Sequence, residues 1–164
     1  MREIPLTQGK VALVDDADHQ WLSQWKWCAC KGRTTYYAIR GWQQNGKMRI
    51  VQMHRAILNP HSGIEADHIN GDGLDNRRTN LRTCTSSQNH ANSRKRANCS
   101  SLYKGVSWYK RKRKWYSCIS VKGRTRALGY FDDEQEAARV YNHAAISVFG
   151  EFARLNNIRS EEAT

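Results

Sequence analysis

Acidic side chains are absent from a long central stretch of this sequence. Between Asn76 and Phe131 there are fifteen Lys or Arg residues and no Asp or Glu. A segment without carboxylates cannot neutralise its own cations, so it suits a polyanionic partner, nucleic acid first. Long apolar runs are also missing. Nothing approaches the ~18 residues of a membrane-spanning helix, the N-terminus has no secretory apolar segment, and no long amphipathic basic helix suggests a membrane surface. These absences predict a cytoplasmic chain with no membrane partner. The five cysteines (Cys28, Cys30, Cys84, Cys99 and Cys118) are odd in number and contain no C-x-x-C pair. That excludes a regular disulfide framework and a paired-cysteine zinc site. Apolar residues make up only 39% of the chain and the mean hydropathy is −0.81. One large core is thereby disfavoured, and two small domains on a polar linker are predicted.

What is present is positive charge, +12 formally. It is densest at Lys110–Lys114, five consecutive cations between Tyr109 and Trp115. An ordinary solvated face does not need that arrangement.

Periodicity and turn residues predict an α+β chain. Ile4–Leu6 and Val11–Val14 read as strands, with Asp15-Asp16 opening a short helix through Ser23. Trp25–Cys30, Thr35–Trp42 and Met48–Gln52 read as a small antiparallel sheet punctuated by Gly32 and Asn45-Gly46. His54–Leu58 is a helical turn stopped by Asn59-Pro60. Ile64–Ile69 and Leu81–Thr83 are strands around an Asn/Gly/Asp-rich turn, and Ser86-Ser87 starts a helix through about Arg94. Residues 93–101 are a basic linker. Three strands (Gly105–Trp108, Trp115–Val121, Arg126–Tyr130) and one helix capped by Asp132 or Asp133 form the last domain, with Tyr130, Phe131, Tyr141, Phe149 and Phe152 expected in its core. The expected boundaries are 1–92 (a β-rich part, 1–52, and a site-bearing part, 53–92), then the linker, then 102–160.

Residues 67–92 carry the chemistry. An Asp-His pair is followed by an Asn twelve residues after the His and another nine further on. Carboxylate, imidazole and carboxamide suit a hard divalent cation and a general base. A calcium loop starting at Asp67 fails, because its third, fifth and twelfth positions are Ile69, Gly71 and Arg78. Turn chemistry alone explains Asn70, Asp72, Asp75 and Asn76; it leaves the His after Asp67 and the Asn in a serine-capped helix unexplained.

The ordered string His54-Arg55, Asp67-His68-Ile69-Asn70-Gly71-Asp72, Leu74-Asp75-Asn76-Arg77, Asn80-Leu81-Arg82 and Ser87-Gln88-Asn89 resembles the HNH (ββα-metal, His-Me finger) nucleases. The likeness is to the His-Asn-Asn variant of phage and intron-borne homing endonucleases. It implies His68 as the base, Asn80 as the residue orienting its ring, and Asp67 and Asn89 as ligands of one divalent ion, Mg²⁺ ahead of Mn²⁺. His90 competes with Asn89, and the twelve-then-nine spacing favours Asn89. Adjacent strand residues face opposite ways, so Asp67 and His68 can share a site only at a strand end or bulge.

Residues 102–156 resemble the APETALA-two type DNA-binding domain of plant ethylene-responsive factors. The likeness rests on Tyr103-Lys104-Gly105-Val106, Lys114-Trp115, Leu128-Gly129-Tyr130-Phe131, Glu136-Ala137-Ala138, Tyr141-Asn142, Ala144-Ala145, and Phe149-Gly150 through Leu155-Asn156. Ser107 stands where the plant domains have Arg, and the first turn is longer, so base specificity does not carry over. The resemblance implies double-stranded DNA as partner. Its candidate contacts are Ser107, Trp108, Tyr109, Lys110, Arg111, Arg113, Trp115, Ser117, Lys122, Arg124 and Arg126. Arg77, Arg78, Arg94, Lys95 and Arg96 are counted with them on the nuclease side and linker. Together these resemblances imply a site-directed, homing-type DNA endonuclease that nicks or cleaves in a bacterial cytoplasm, if phage-borne. The alternative is a non-catalytic DNA-binding regulator on a degenerate nuclease fold.

Overall fold

A computed structural model describes residues 1–95 and 99–158 of the chain. It is α+β, with small antiparallel sheets and short helices, and no described helix is long and apolar enough to cross a membrane. The chain divides into two compact units, Met1–Ser86 and Ser87–Thr164.

In the first unit β1 (Arg2–Pro5) pairs antiparallel with β2 (Val11–Val14). A three-stranded sheet follows, β3 (Cys28–Lys31), β4 (Tyr36–Gln44) and β5 (Lys47–Gln52), in that order. Asn45 and Gly46, with φ of 51° and 72°, close the β4–β5 hairpin. Two successive positive φ angles match the right-handed strand twist, which Asn-Gly accommodates best. Strand β6 (Glu65–His68) pairs with β7 (Leu81–Cys84). Helix α1 (Asp16–Leu22) and helix α2 (Met53–Leu58) complete the unit. Left-handed Asn59 ends α2 one residue before Pro60, which cannot continue a helix.

One core unites these pieces: Ile4, Leu6, Ala12, Val14, Leu22, Trp27, Ala29, Ala38, Met53, Ile57 and Leu81 are buried together. Met53 and Ile57, four residues apart, put one face of α2 into it. Trp25 lies outside β3 and is exposed, so that strand starts later than its aromatic run suggested. The outer part of the β4–β5 hairpin, beyond Arg40, has no buried residue.

The second unit holds all but the first residue of helix α3 (Ser86–Asn92) and the sheet β8 (Val106–Tyr109), β9 (Lys114–Val121) and β10 (Arg124–Phe131) in the order β10-β9-β8. The helix α4 (Glu134–Phe149) packs on this sheet. Asp133 caps α4 by accepting from Glu136 N at 2.7 Å, and Ala137, Ala138, Tyr141 and Ala145 form its buried stripe. Small side chains on that stripe let the helix approach the sheet. Gly105 must be glycine: its φ is +77°, and a Cβ there would collide with the Tyr141 ring. The C-terminal end of α3 is tied to this unit, because Lys104 Nζ donates to Ser93 O (2.7 Å) and to Ala91 O, and Arg154 N donates to Ala91 O.

Candidate active site

The loop between β6 and β7 is built from its own carboxylates and carboxamides. Asn70 Oδ1 accepts from Asp72 N (2.7 Å) and Asp72 Oδ1 accepts from Leu74 N (3.0 Å), two successive Asx turns. Asn70 Nδ2 donates to Asp75 Oδ2 at 3.0 Å. Gly73 seats the loop on β4: its N–H donates to Thr35 Oγ1, and a Cβ would run into Tyr36 O and the Tyr37 ring. The other side is pinned to β2, where Leu13 N donates to Leu74 O (2.9 Å) and Asn76 N donates to Leu13 O (2.8 Å). Asp15 Oδ2 accepts from Arg78 N at 2.7 Å instead of capping α1. Much of the N-terminal region therefore serves to hold this loop, a role that composition does not reveal.

His68 is the last residue of β6, paired with Leu81, and is buried. Its Nε2 lies 3.2 Å from Asn76 Oδ1. Asn76 is fully buried, and its Nδ2 donates to Leu74 O at 3.1 Å. That second bond decides which way the amide points, so the oxygen faces the ring and Nε2 must carry the proton. Nδ1 is thereby left as the basic nitrogen. Burial lowers the His68 pKa; the Asn76 bond and the carboxylates of Asp67, Asp72 and Asp75 act the other way. A neutral imidazole near pH 7 can accept a proton.

Asn80, expected to orient this ring, is occupied elsewhere. Its Nδ2 donates to Asn70 Oδ1 (3.1 Å) and Asp75 O (2.8 Å), and its Oδ1 accepts from Asn70 N (3.0 Å). It clamps the base of the loop from the start of β7, and the bond to the imidazole comes from Asn76. Nothing in the spacing separated Asn76 from its turn-forming neighbours.

A second imidazole lies beside the first. His54, buried on α2, meets His68 edge to face with ring centroids 4.6 Å apart, and Tyr37 flanks both rings at 5.8 and 5.9 Å. Burial, helped by the nearby His68 and Arg55 charges, pushes His54 down to about 3, and its Nδ1 is buried without a hydrogen-bond partner. His54 is thus a neutral wall of the His68 pocket.

Asp67 is buried and paired with Arg82 across the β6–β7 ladder, both Nε (3.1 Å) and Nη2 (3.0 Å) reaching Oδ2. Asn89 and His90 stand on α3 in the second unit, Asn89 half-buried and His90 exposed. The described residues contain no cluster of three His, Cys, Asp or Glu side chains. The Asp67 carboxylate is a hard oxygen donor, the type that a divalent ion keeping most of its own water accepts.

The residues expected to contact DNA lie in different environments. Arg77 forks onto Asp75 with both bonds at 2.7 Å, and Arg78 forks onto Asp18 at 2.7 and 2.8 Å. These bidentate pairs hold Asp75 and Asp18 below the usual carboxylate range, while the Arg77 and Arg78 side chains keep 37% and 53% of their surface exposed. Arg94 is exposed and Lys95 half-buried; Arg96 lies outside the described residues. Lys110, Arg111 and Arg113 occupy the exposed β8–β9 turn, and Lys122, Arg124 and Arg126 are exposed at the far end of the sheet. Trp115, in contrast, packs into the core with Val106, Ala137 and Phe131. Trp108 shares its face, its ring centroid 5.1 Å from that of Trp115. Ser117 is buried and donates to Ala137 O. The register puts Tyr109, Tyr116 and Tyr130 on the opposite, helix-free face, where their rings cluster 5.1–6.4 Å apart with Lys112 Nζ 3.9 Å from Tyr130. Tyr130, expected in the core, is 37% exposed. Strand parity thus separates the tryptophans from the tyrosines, one set on each face of the sheet.

Residues 52–91 match the HNH endonuclease family. An uncharacterised HNH endonuclease of Acanthamoeba polyphaga mimivirus is 33% identical over 144 residues, covering 84% of this chain and 70% of the viral protein. The APETALA2-like protein 2 of Oryza sativa, in both the indica and japonica subspecies, is 44% identical over 57 residues, 35% of this chain and only 13% of the rice proteins. No solved structure gives a significant match.

Proposed function

This chain belongs to the HNH endonuclease family, and from that premise we propose that it is a site-directed, Mg²⁺-dependent nuclease of the homing type acting on duplex DNA. Strands β6 and β7 followed by α3 supply the ββα order of such a site. The observation that carries the reading is the buried His68–Asn76 bond inside the family-matched segment.

In this mechanism His68 Nδ1 takes the proton of a water as that water attacks phosphorus. Asn76 holds the ring in the Nε2–H form throughout, and His54 and Tyr37 pack beside it. Asp67, steadied by Arg82, would be a ligand of one divalent ion, which when bound would polarise the scissile phosphate and offset charge on the leaving 3′ oxygen. The P–O3′ bond breaks and the leaving 3′ oxygen takes a proton from solvent water, giving a 5′-phosphate and a 3′-hydroxyl. One such centre per chain cuts one strand.

The second unit serves as the DNA reader in this proposal. Its support is the partial likeness to the rice proteins and a sheet with one helix-free face. Tyr109, Tyr116 and Tyr130 lie on that face, and the Lys110–Arg113 turn is the phosphate clamp. The decisive experiment is Mg²⁺-dependent nicking of supercoiled plasmid: His68→Ala should abolish cleavage while duplex binding persists, and full cleavage by that variant sinks the mechanism.

A further inference from the structure

A second acid-free stretch lies outside the proposed reader. From His19 to Ile64 there are seven Lys or Arg residues and no Asp or Glu, and this stretch includes the whole β3–β4–β5 sheet. The register sorts its charges. Arg40 pairs with Val51, Trp42 with Arg49 and Gln44 with Lys47, while Lys31 pairs with Tyr36. Directly paired residues share a face and alternate residues repeat it. All four Lys and Arg of the sheet therefore lie on one side. The other side of the outer hairpin carries Gly41, Gln43, Met48 and Ile50, all uncharged, with Met48 66% and Ile50 64% exposed.

The charged side is also preorganised. The Arg40 guanidinium stacks on the Trp25 ring at 4.0 Å, with the Trp42 and Trp27 rings at 5.6 and 5.7 Å. Arg77, Arg78 and Arg82 each have a carboxylate partner. Arg40 has neither an ion pair nor a hydrogen bond among the described residues, and its Nε is buried without an acceptor. Aromatic rings hold it with its charge uncompensated, a way of fixing arginine that leaves the cation available to an anion. Lys47 and Arg49 extend the same face along the hairpin to its exposed end. From Arg40 to Gln44 the strand advances roughly 14 Å, a length over which one DNA strand carries about four charges.

We propose that the Arg40–Trp42–Arg49–Lys47 face of the β4–β5 hairpin is a phosphate-backbone binding surface for duplex DNA, separate from the C-terminal reader. Its charge is all of one sign, which suits the phosphate backbone, and contacts there contribute affinity and placement. The proposal rests on the reading of this chain as a DNA nuclease.

The test uses the full chain, a duplex substrate that the wild type nicks, and the double variant Lys47→Ala/Arg49→Ala, with Met48→Ala as control on the opposite face. Losing two phosphate contacts should reduce the steepness of log K against log salt by about 1.8 and weaken binding roughly tenfold near physiological salt. Single-turnover nicking at saturating enzyme should stay within about twofold of wild type, and Met48→Ala should match wild type throughout. An unchanged salt slope and affinity in the double variant overturns the proposal while leaving the nuclease reading intact. Equal losses in Met48→Ala overturn the assignment to one face. A wild type that neither binds nor nicks duplex DNA removes both readings together.

Discussion

Replacing Asn76 with alanine removes the acceptor that holds the His68 ring. Asn76 is fully buried and His68 nearly so, so water does not readily replace the 3.2 Å bond to Nε2. A ring N–H left unsatisfied in such a place costs about 1–3 kcal/mol, and the imidazole can escape part of that cost by moving its proton to Nδ1 or by turning. Either response removes the basic lone pair from the water. Displacements on the scale of 1 Å lower rates by roughly 10²-fold, or ~2.7 kcal/mol of barrier. Asn80→Ala breaks bonds to Asn70 and to the Asp75 carbonyl but none to the ring. It should lower stability by about 1–2 kcal/mol and slow nicking less than tenfold. The assay is single-turnover plasmid nicking at saturating enzyme, with thermal melts to confirm folding and ¹⁵N NMR of His68 to read the tautomer, Nε2–H in the wild type. If Asn80→Ala lost a hundredfold while folded Asn76→Ala kept its rate, or if His68 carried its proton on Nδ1, the assignment of Asn76 would be refuted.

His54 gives the fold a pH dependence. Its folded pKa of about 3 lies below the ordinary value of 6.5, so the unfolded chain binds the proton more tightly. The stability is complete above about pH 6.5 and falls as pH drops toward 3, by roughly 1 kcal/mol per unit; His68, shifted the same way, adds to it. Urea melts between pH 7 and 4.5 should show this slope and His54→Phe should flatten it, while Asp18 and Asp75, with lowered pKa values, act only at more acid pH. Arg78→Ala leaves the buried Asp18 carboxylate without its fork; about 1–3 kcal/mol of stability should be lost, with the DNA salt slope unchanged. In the second unit, Tyr116→Ala should weaken duplex binding several-fold at nearly wild-type stability. Trp115→Ala should destabilise by about 3–5 kcal/mol, and the reverse pattern in paired binding and melting experiments would move the reader face.

Most elements were legible because they depend on local signals. The Asn45-Gly46 hairpin, the Asn59-Pro60 stop and the Asp133 cap are each set by the φ, ψ or hydrogen-bonding preference of one or two residues. The α4 stripe was legible from its period. What failed were contacts between residues close in sequence and alike in chemistry. Asn70, Asn76 and Asn80 all belong to one polar turn, and only the backbone path, pinned to Leu13 and seated against Tyr37, decides which amide meets the imidazole. Arg78 looked like a free cation because its partner Asp18, sixty residues away, comes into reach only through the fold.

By itself, then, the sequence determined the kind of chemistry and the kind of partner. Asp67-His68 before a Gly/Asn/Asp turn specifies the donors, and the acid-free runs specify attraction to a polyanion, because residue type and net charge do not depend on conformation. Only the tertiary structure decided which atoms act together. It gave the ring-holding bond to Asn76, made His54 a wall of the pocket, withdrew Arg77 and Arg78 into ion pairs, and sorted tyrosines outward and Trp115 inward. Those outcomes depend on strand parity and on burial, where a shift of one residue reverses a face and a single unsatisfied bond outweighs any local preference.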